Sequence, residues 1–157
     1  IALLVADGID GASLMGIHRA LAAEGAVPKL IAPRIGEVKT AKGVTFMADA
    51  SFETEPGFLF DALVLPDGQE AAVALCKDAL AIEFIRNQYR HCKAILVLGT
   101  SKALILRAEI PDALADGTSD PGIVFSASGK HEDAVKTFFE AIEKHRHFER
   151  ETDPPLV

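Results

Sequence analysis

Cysteine is scarce, with only Cys76 and Cys92 in 157 residues. The two sit at no metal-type spacing and make no disulfide framework, which points to a reducing, cytoplasmic setting. Basic residues are outnumbered, 16 Lys plus Arg against 23 Asp plus Glu, for a formal net charge of −7. An acidic chain gains nothing from counterion release, which argues against nucleic acid as a partner. Apolar runs stay well short of the roughly 20 residues that span a bilayer, so no membrane partner is expected. Low-complexity tracts and internal repeats are missing, and a charged fraction of 25% is ordinary, which excludes general disorder. The sequence has no G-x-G-x-x-G and no phosphate-loop motif.

What is present is apolar: 49% of the residues are hydrophobic, enough for one domain to bury a core. Ile1–Ala6 already reads as a buried strand, with no Met and no charged leader before it. A chain that opens inside a strand is expected to be a piece of a longer one. Strand and helix patterns then alternate, which predicts a doubly wound α/β domain with a parallel sheet and helices on both faces. A helix is predicted over about 11–24 from Leu14, Ile17, His18 and Leu21, and a second strand at Lys29–Ala32. Residues 37–40 and 44–47 alternate in period two and predict an inserted β-hairpin. Strands follow at Ala62–Leu65, Ala94–Leu98 and Ile123–Phe125, with helices at 69–76, 79–91 and, after a turn at Gly99, a short one. The last helix is predicted over about 130–147 on Val135, Phe138, Phe139 and Ile142.

Ligands of such sheets sit at the carboxyl ends of the strands, near the switch in strand order. Three loops are expected to meet there: Asp7–Asp10, Pro66–Gln69 and Gly99–Lys102. The first brings two carboxylates, which repel phosphate and disfavour a flavin; Asp10 is expected to cap the next helix. Asp7, Asp10, Asp67, Thr100 and Lys130 imitate a phosphoacceptor switch. Against it stand the tight Pro66-Asp67 turn, the missing Lys-Pro after the fifth strand and the hairpin. A nucleophile elbow needs Ser or Cys on a sharp strand-to-helix turn, and here that position reads as Val97 or Leu98. Ser101 is expected to cap the helix it begins. His91 and Cys92 are neighbours that point apart, and Cys76 reads as a buried structural thiol. His18 reads as a core-edge residue, and His131 falls in the first turn of the last helix. His145 and His147 face different sides near its end, where cations suit the dipole; metal binding by this pair is the lesser alternative. The chain is assigned no catalytic, cofactor-binding or metal residue.

These elements resemble the PfpI-type branch of the class I glutamine amidotransferase-like superfamily, which has a flavodoxin-like fold. Asp7-Gly8-Ile9-Asp10-Gly11, the hairpin, Leu65-Pro66-Asp67-Gly68 and Leu96-Val97-Leu98-Gly99 fall in that family's order. The resemblance implies, for active members, a Cys at the elbow, a Glu in the first loop and paired glycines after the third strand. Here the elbow holds Val97 or Leu98, the Glu position falls near Gly11, and only Gly68 of the glycines remains, so cysteine chemistry is expected to be lost. Over its whole length the chain also resembles the C-terminal domain of large-subunit (clade 2) catalases. Ile35-Gly36-Glu37-Val38, the Asp120–Phe125 region and the Ala141–Arg146 helix end carry that likeness. It implies residues 1–150 as one accessory domain and 151–157 as an extended tail. It also implies heme only in the parent core, that core and the other subunits of a homotetramer as partners, and unfolded chains as a further partner. Tyr89, the sole tyrosine, lacks the setting such a heme ligand needs. The alternative is a free-standing PfpI-like hydrolase or deglycase using Cys92 or Ser101.

Overall fold

In a computed structural model of the chain, residues 1–127 and 132–151 are described. Six strands form one parallel sheet: β1 (Ala2–Leu4), β2 (Lys29–Ala32), β5 (Ala50–Ser51), β6 (Ala62–Leu65), β7 (Ala94–Leu98) and β8 (Ile123–Ser126). Their order is β5-β2-β1-β6-β7-β8, so the chain reverses its direction of winding between β1 and β6. The register sets Leu3 beside Leu30 on one side and Val64 on the other. Every residue of β6 and β7 is buried, as expected for central parallel strands covered on both faces. Leu3, Leu4, Leu63, Leu65 and Ile95 have no accessible surface and form the middle of the core.

Helices α1 (Gly11–Ala23) and α5 (Glu132–Glu143) lie side by side, where Ala20 and Ala23 face Val135 and Phe139. Helices α2 (Gln69–Cys76), α3 (Ala79–Arg90) and α4 (Lys102–Arg107) pack on one another, with α3 against β6 and β7. The predicted apolar stripe of α1 is buried at Leu14, Ile17 and Leu21, with His18 half-buried beside it. Strands β3 (Glu37–Lys39) and β4 (Thr45–Met47) form the expected antiparallel hairpin, Val38 opposite Phe46.

Two readings change. The edge strand β5 was not predicted, since two residues are too few to show alternation; its pairing of Ala50 with Ile31 is a tertiary event. The last helix ends at Glu143 rather than about 147. His145 takes a left-handed φ of +62°, and the chain turns back beneath the sheet. His147 therefore does not complement a helix dipole at the surface. Its ring is fully buried, with Nε2 3.1 Å from the Ala141 carbonyl. Lys130, His131 and the tail at 152–157 lie outside the described residues.

Candidate functional site

The three predicted loops do converge at the carboxyl ends of β1, β6 and β7. The Asp10 amide donates to the Asp67 carbonyl at 2.9 Å, tying the first loop to the second. The Thr100 hydroxyl and amide donate to Asp67 Oδ1 at 2.7 and 3.0 Å, tying the second to the third. The first-loop carboxylates are both used structurally. Asp10 caps α1 by accepting from the Ser13 amide at 2.8 Å, as expected. Asp7 accepts from the Lys39 amide at 2.8 Å and so holds the hairpin over the strand ends.

The sharp turn falls one residue later than the sequence suggested. Val97 and Leu98 belong to β7 and are buried in the sheet, whereas Gly99 carries the left-handed φ of +49°. The elbow position is thus Gly99, a residue with no side chain to act as a nucleophile. Asp67 fills the space instead: a Cβ placed on Gly99 would overlap its carboxylate. That carboxylate accepts from the Gly68 amide at 2.8 Å and from the Thr100 amide. The residue after the elbow is where an oxyanion hole finds a donor, and here the Thr100 amide is taken by the Asp67 carboxyl oxygen. The position near Gly11 that the resemblance gives to a Glu is crowded too. A Cβ on Gly11 would lie 2.9 Å from Thr40 Cγ2 of the hairpin.

Of the other candidates, Ser101 lies at this site and the cysteines do not. Ser101 makes no cap; it is buried, and its hydroxyl donates to the Pro66 carbonyl. Cys92 precedes β7, at the far end of the sheet, roughly 20 Å from Gly99 at ~3.3 Å per residue. Its thiol is buried, 3.9 Å from Glu151 Oε1, and is pushed up first by burial and then by that carboxylate. Burial also raises the half-buried Cys76 thiol. Both shifts oppose the thiolate that chemistry would need.

A polar cluster under the amino ends of β7 and β8 escaped the sequence reading. Arg150 Nε donates to Asp120 Oδ2 at 2.6 Å with both side chains buried, and its guanidinium lies 4.8 Å from the centre of the Tyr89 ring. Arg150 also reaches the Lys93 carbonyl at 2.7 Å, and the His147 amide donates to the Cys92 carbonyl at 2.7 Å. Asp120 and Lys93 stand 30 and 57 residues from Arg150, beyond any local pattern. Tyr89 is buried in this cluster, and burial raises its phenol. No group of three or more His, Cys, Asp or Glu side chains able to hold a metal exists among the described residues. No helix among them is long and apolar enough to cross a membrane.

The fold defines the class first. Among solved structures, the chain superposes on oxidized DJ-1 of Toxoplasma gondii with a TM-score of 0.74 at 16% identity, covering 92% of this chain and 94% of that one. DJ-1beta of Drosophila melanogaster gives the same score at 14% identity, covering 93% and 89%. The architecture is that of the DJ-1/ThiJ/PfpI-like, flavodoxin-type folds. Sequence comparison is more specific. The family described as the C-terminal domain found in long catalases matches residues 1–152. Catalase HPII of Pseudomonas putida is 35% identical over the whole chain and 20% of its own length. Catalase-1 of Neurospora crassa is 31% identical over 98% of the chain and 23% of its own length. This chain belongs to the family of C-terminal domains of long catalases. It spans about a fifth of the length of the curated relatives it matches.

Proposed function

We propose that this is a non-catalytic accessory domain of a cytoplasmic heme catalase, which stabilises a homotetramer that decomposes hydrogen peroxide. The observation that carries the reading is the elbow: Gly99 has no side chain, and the Asp67 carboxylate takes both the space and the amide donors. In this reading heme belongs to the parent core and residues 1–157 take no part in its chemistry. Stabilisation has two forms, stapling of the core by covered surface, or limiting the aggregation of partly unfolded subunits. Stapling is favoured, because a net charge of −7 with 6% aromatic residues makes a modest holdase. The hydrolase alternative finds little support, with Cys92 remote from the elbow and Ser101 bonded to Pro66.

Deleting residues 1–157 from the parent catalase, heating it and following peroxide decomposition tests the proposal. Lost heat resistance that the added domain fails to rescue supports stapling, and rescue in trans supports the chaperone form. Unchanged resistance to heat and denaturant sinks both.

A further inference from the structure

Four large apolar side chains are exposed on the loops at the amino ends of the parallel strands. Val27, before β2, is 72% exposed, and Phe58 and Leu59, before β6, are 50% and 62% exposed. Phe148, on the segment that returns beneath β7 and β8, is 62% exposed. Exposed apolar residues are ordinary when scattered singly, but the segments that carry Phe58, Leu59 and Phe148 are tied down by buried polar groups. Lys93, itself buried, turns its ammonium inward to the carbonyls of Phe58 and Phe60. Gln88, with no accessible surface, donates to the carbonyls of Gly57 and Phe60. The Arg150–Asp120 pair and the His147–Cys92 backbone bond fix the residues on either side of Phe148. Burying a lysine and an ion pair is costly, and here both fix the backbone that displays apolar side chains outward. Preorganised apolar anchors of this kind are what an interface core is made of.

Ile1 lies on the same end of the sheet, its nitrogen donating to the Val27 carbonyl at 2.8 Å. The family is the C-terminal domain of long catalases and spans about a fifth of those relatives, so in such a chain the larger part of the protein connects through the strand that lies beside Val27. We infer that the catalase core of the same chain docks on this end of the domain, over Val27, Phe58, Leu59 and Phe148. The inference rests on the accessory-domain reading. Asp61, His91 and Arg146 stand at the rim and supply the polar border of the contact. The emptied elbow at the carboxyl ends of the strands then faces away from the core.

Cysteine labelling in the full-length, active catalase tests the docking. Leu59→Cys and Phe148→Cys are placed on the proposed face, and Val44→Cys on the hairpin at the opposite end, where Val44 is 64% exposed. Modification by a maleimide is followed peptide by peptide, which separates the new thiols from Cys76 and Cys92. The first two are expected to react about tenfold or more slowly than Val44→Cys in the folded enzyme, and all three alike in urea. Equal rates in the folded enzyme, or protection of Val44→Cys instead, overturn the docking face. Phe58→Cys replaces either variant that yields no active enzyme. Deleting residues 1–157 separates the two claims. Protected thiols with unchanged heat resistance keep the docking face and remove the stabilising role. Freely labelled thiols with lost heat resistance overturn the face and keep the role.

Discussion

A methyl group at position 99 has nowhere to go, because the Asp67 carboxylate already lies where a Cβ would project. Overpacking at such a site, added to the strain of an alanine at positive φ, costs about 1–3 kcal/mol. Gly99→Ala is therefore expected to lower the urea midpoint, and a further Asp67→Gly change to restore part of it. A Gly99→Ala midpoint equal to wild type would contradict the packing. His147 sets a second residue-scale expectation. Burial, and then the neighbouring Arg150, hold its pKa below the ordinary 6.5. As pH falls through that value the unfolded histidine takes up a proton and the folded one does not. The unfolded state then binds more protons, so stability declines below about pH 6.5. His91 is shifted the same way, by burial and then Lys93, but as an exposed group it contributes less. Denaturation midpoints compared above and below that pH should fall less in His147→Gln than in wild type. An identical fall in both would remove His147 as the cause.

At the scale of elements, caps and clamps differ in cost because they differ in burial. Asp10 caps α1 through a partly buried bond to the Ser13 amide, so Asp10→Ala should cost about 1 kcal/mol. Arg150–Asp120 is another matter, since both side chains are nearly inaccessible and the arginine also covers the Tyr89 ring. Removing one partner leaves a buried charge, and Arg150→Met should cost about 3–5 kcal/mol. Arg150→Met with Asp120→Asn should recover part of that loss. Chemical denaturation of the three variants gives the ranking, and a cap costing more than the clamp would refute it. The same clamp explains why the last helix stops early. Residues 144–151 give up helical bonds for contacts with Tyr89, Cys92, Lys93 and Asp120.

For the whole molecule the expectation is inactivity. The purified domain should turn over no ester, peptide or glyoxal, because the elbow has neither a thiol nor an open oxyanion site. Turnover that vanished in Cys92→Ser or Ser101→Ala would overturn the accessory reading. Both thiols are also expected to alkylate slowly and to form little sulfenic acid in mild peroxide, since burial raises them. Mass spectrometry reads that directly, and rapid selective oxidation of either cysteine would reveal a redox role.

The amino-acid sequence by itself determined the elements that bury continuous apolar runs. Ala62–Leu65, Ala94–Leu98, the α1 stripe and the hairpin were legible because the period of burial is written along the chain. The meeting of the three strand-end loops was legible too, because parallel winding brings carboxyl ends together. Tertiary structure alone decided what those loops do. The place of the elbow hung on a single φ angle, that of Gly99. A residue earlier the side chain is locked in the sheet, and at Gly99 none exists, so the cavity is free for Asp67 from a loop 32 residues away. The one available signal was an acid standing where the resemblance calls for a second glycine beside Gly68. The two-residue β5, the burial of His147 and the Arg150 clamp left no such mark. Each depends on partners brought together from distant parts of the chain, and local periodicity carries no record of who those partners are.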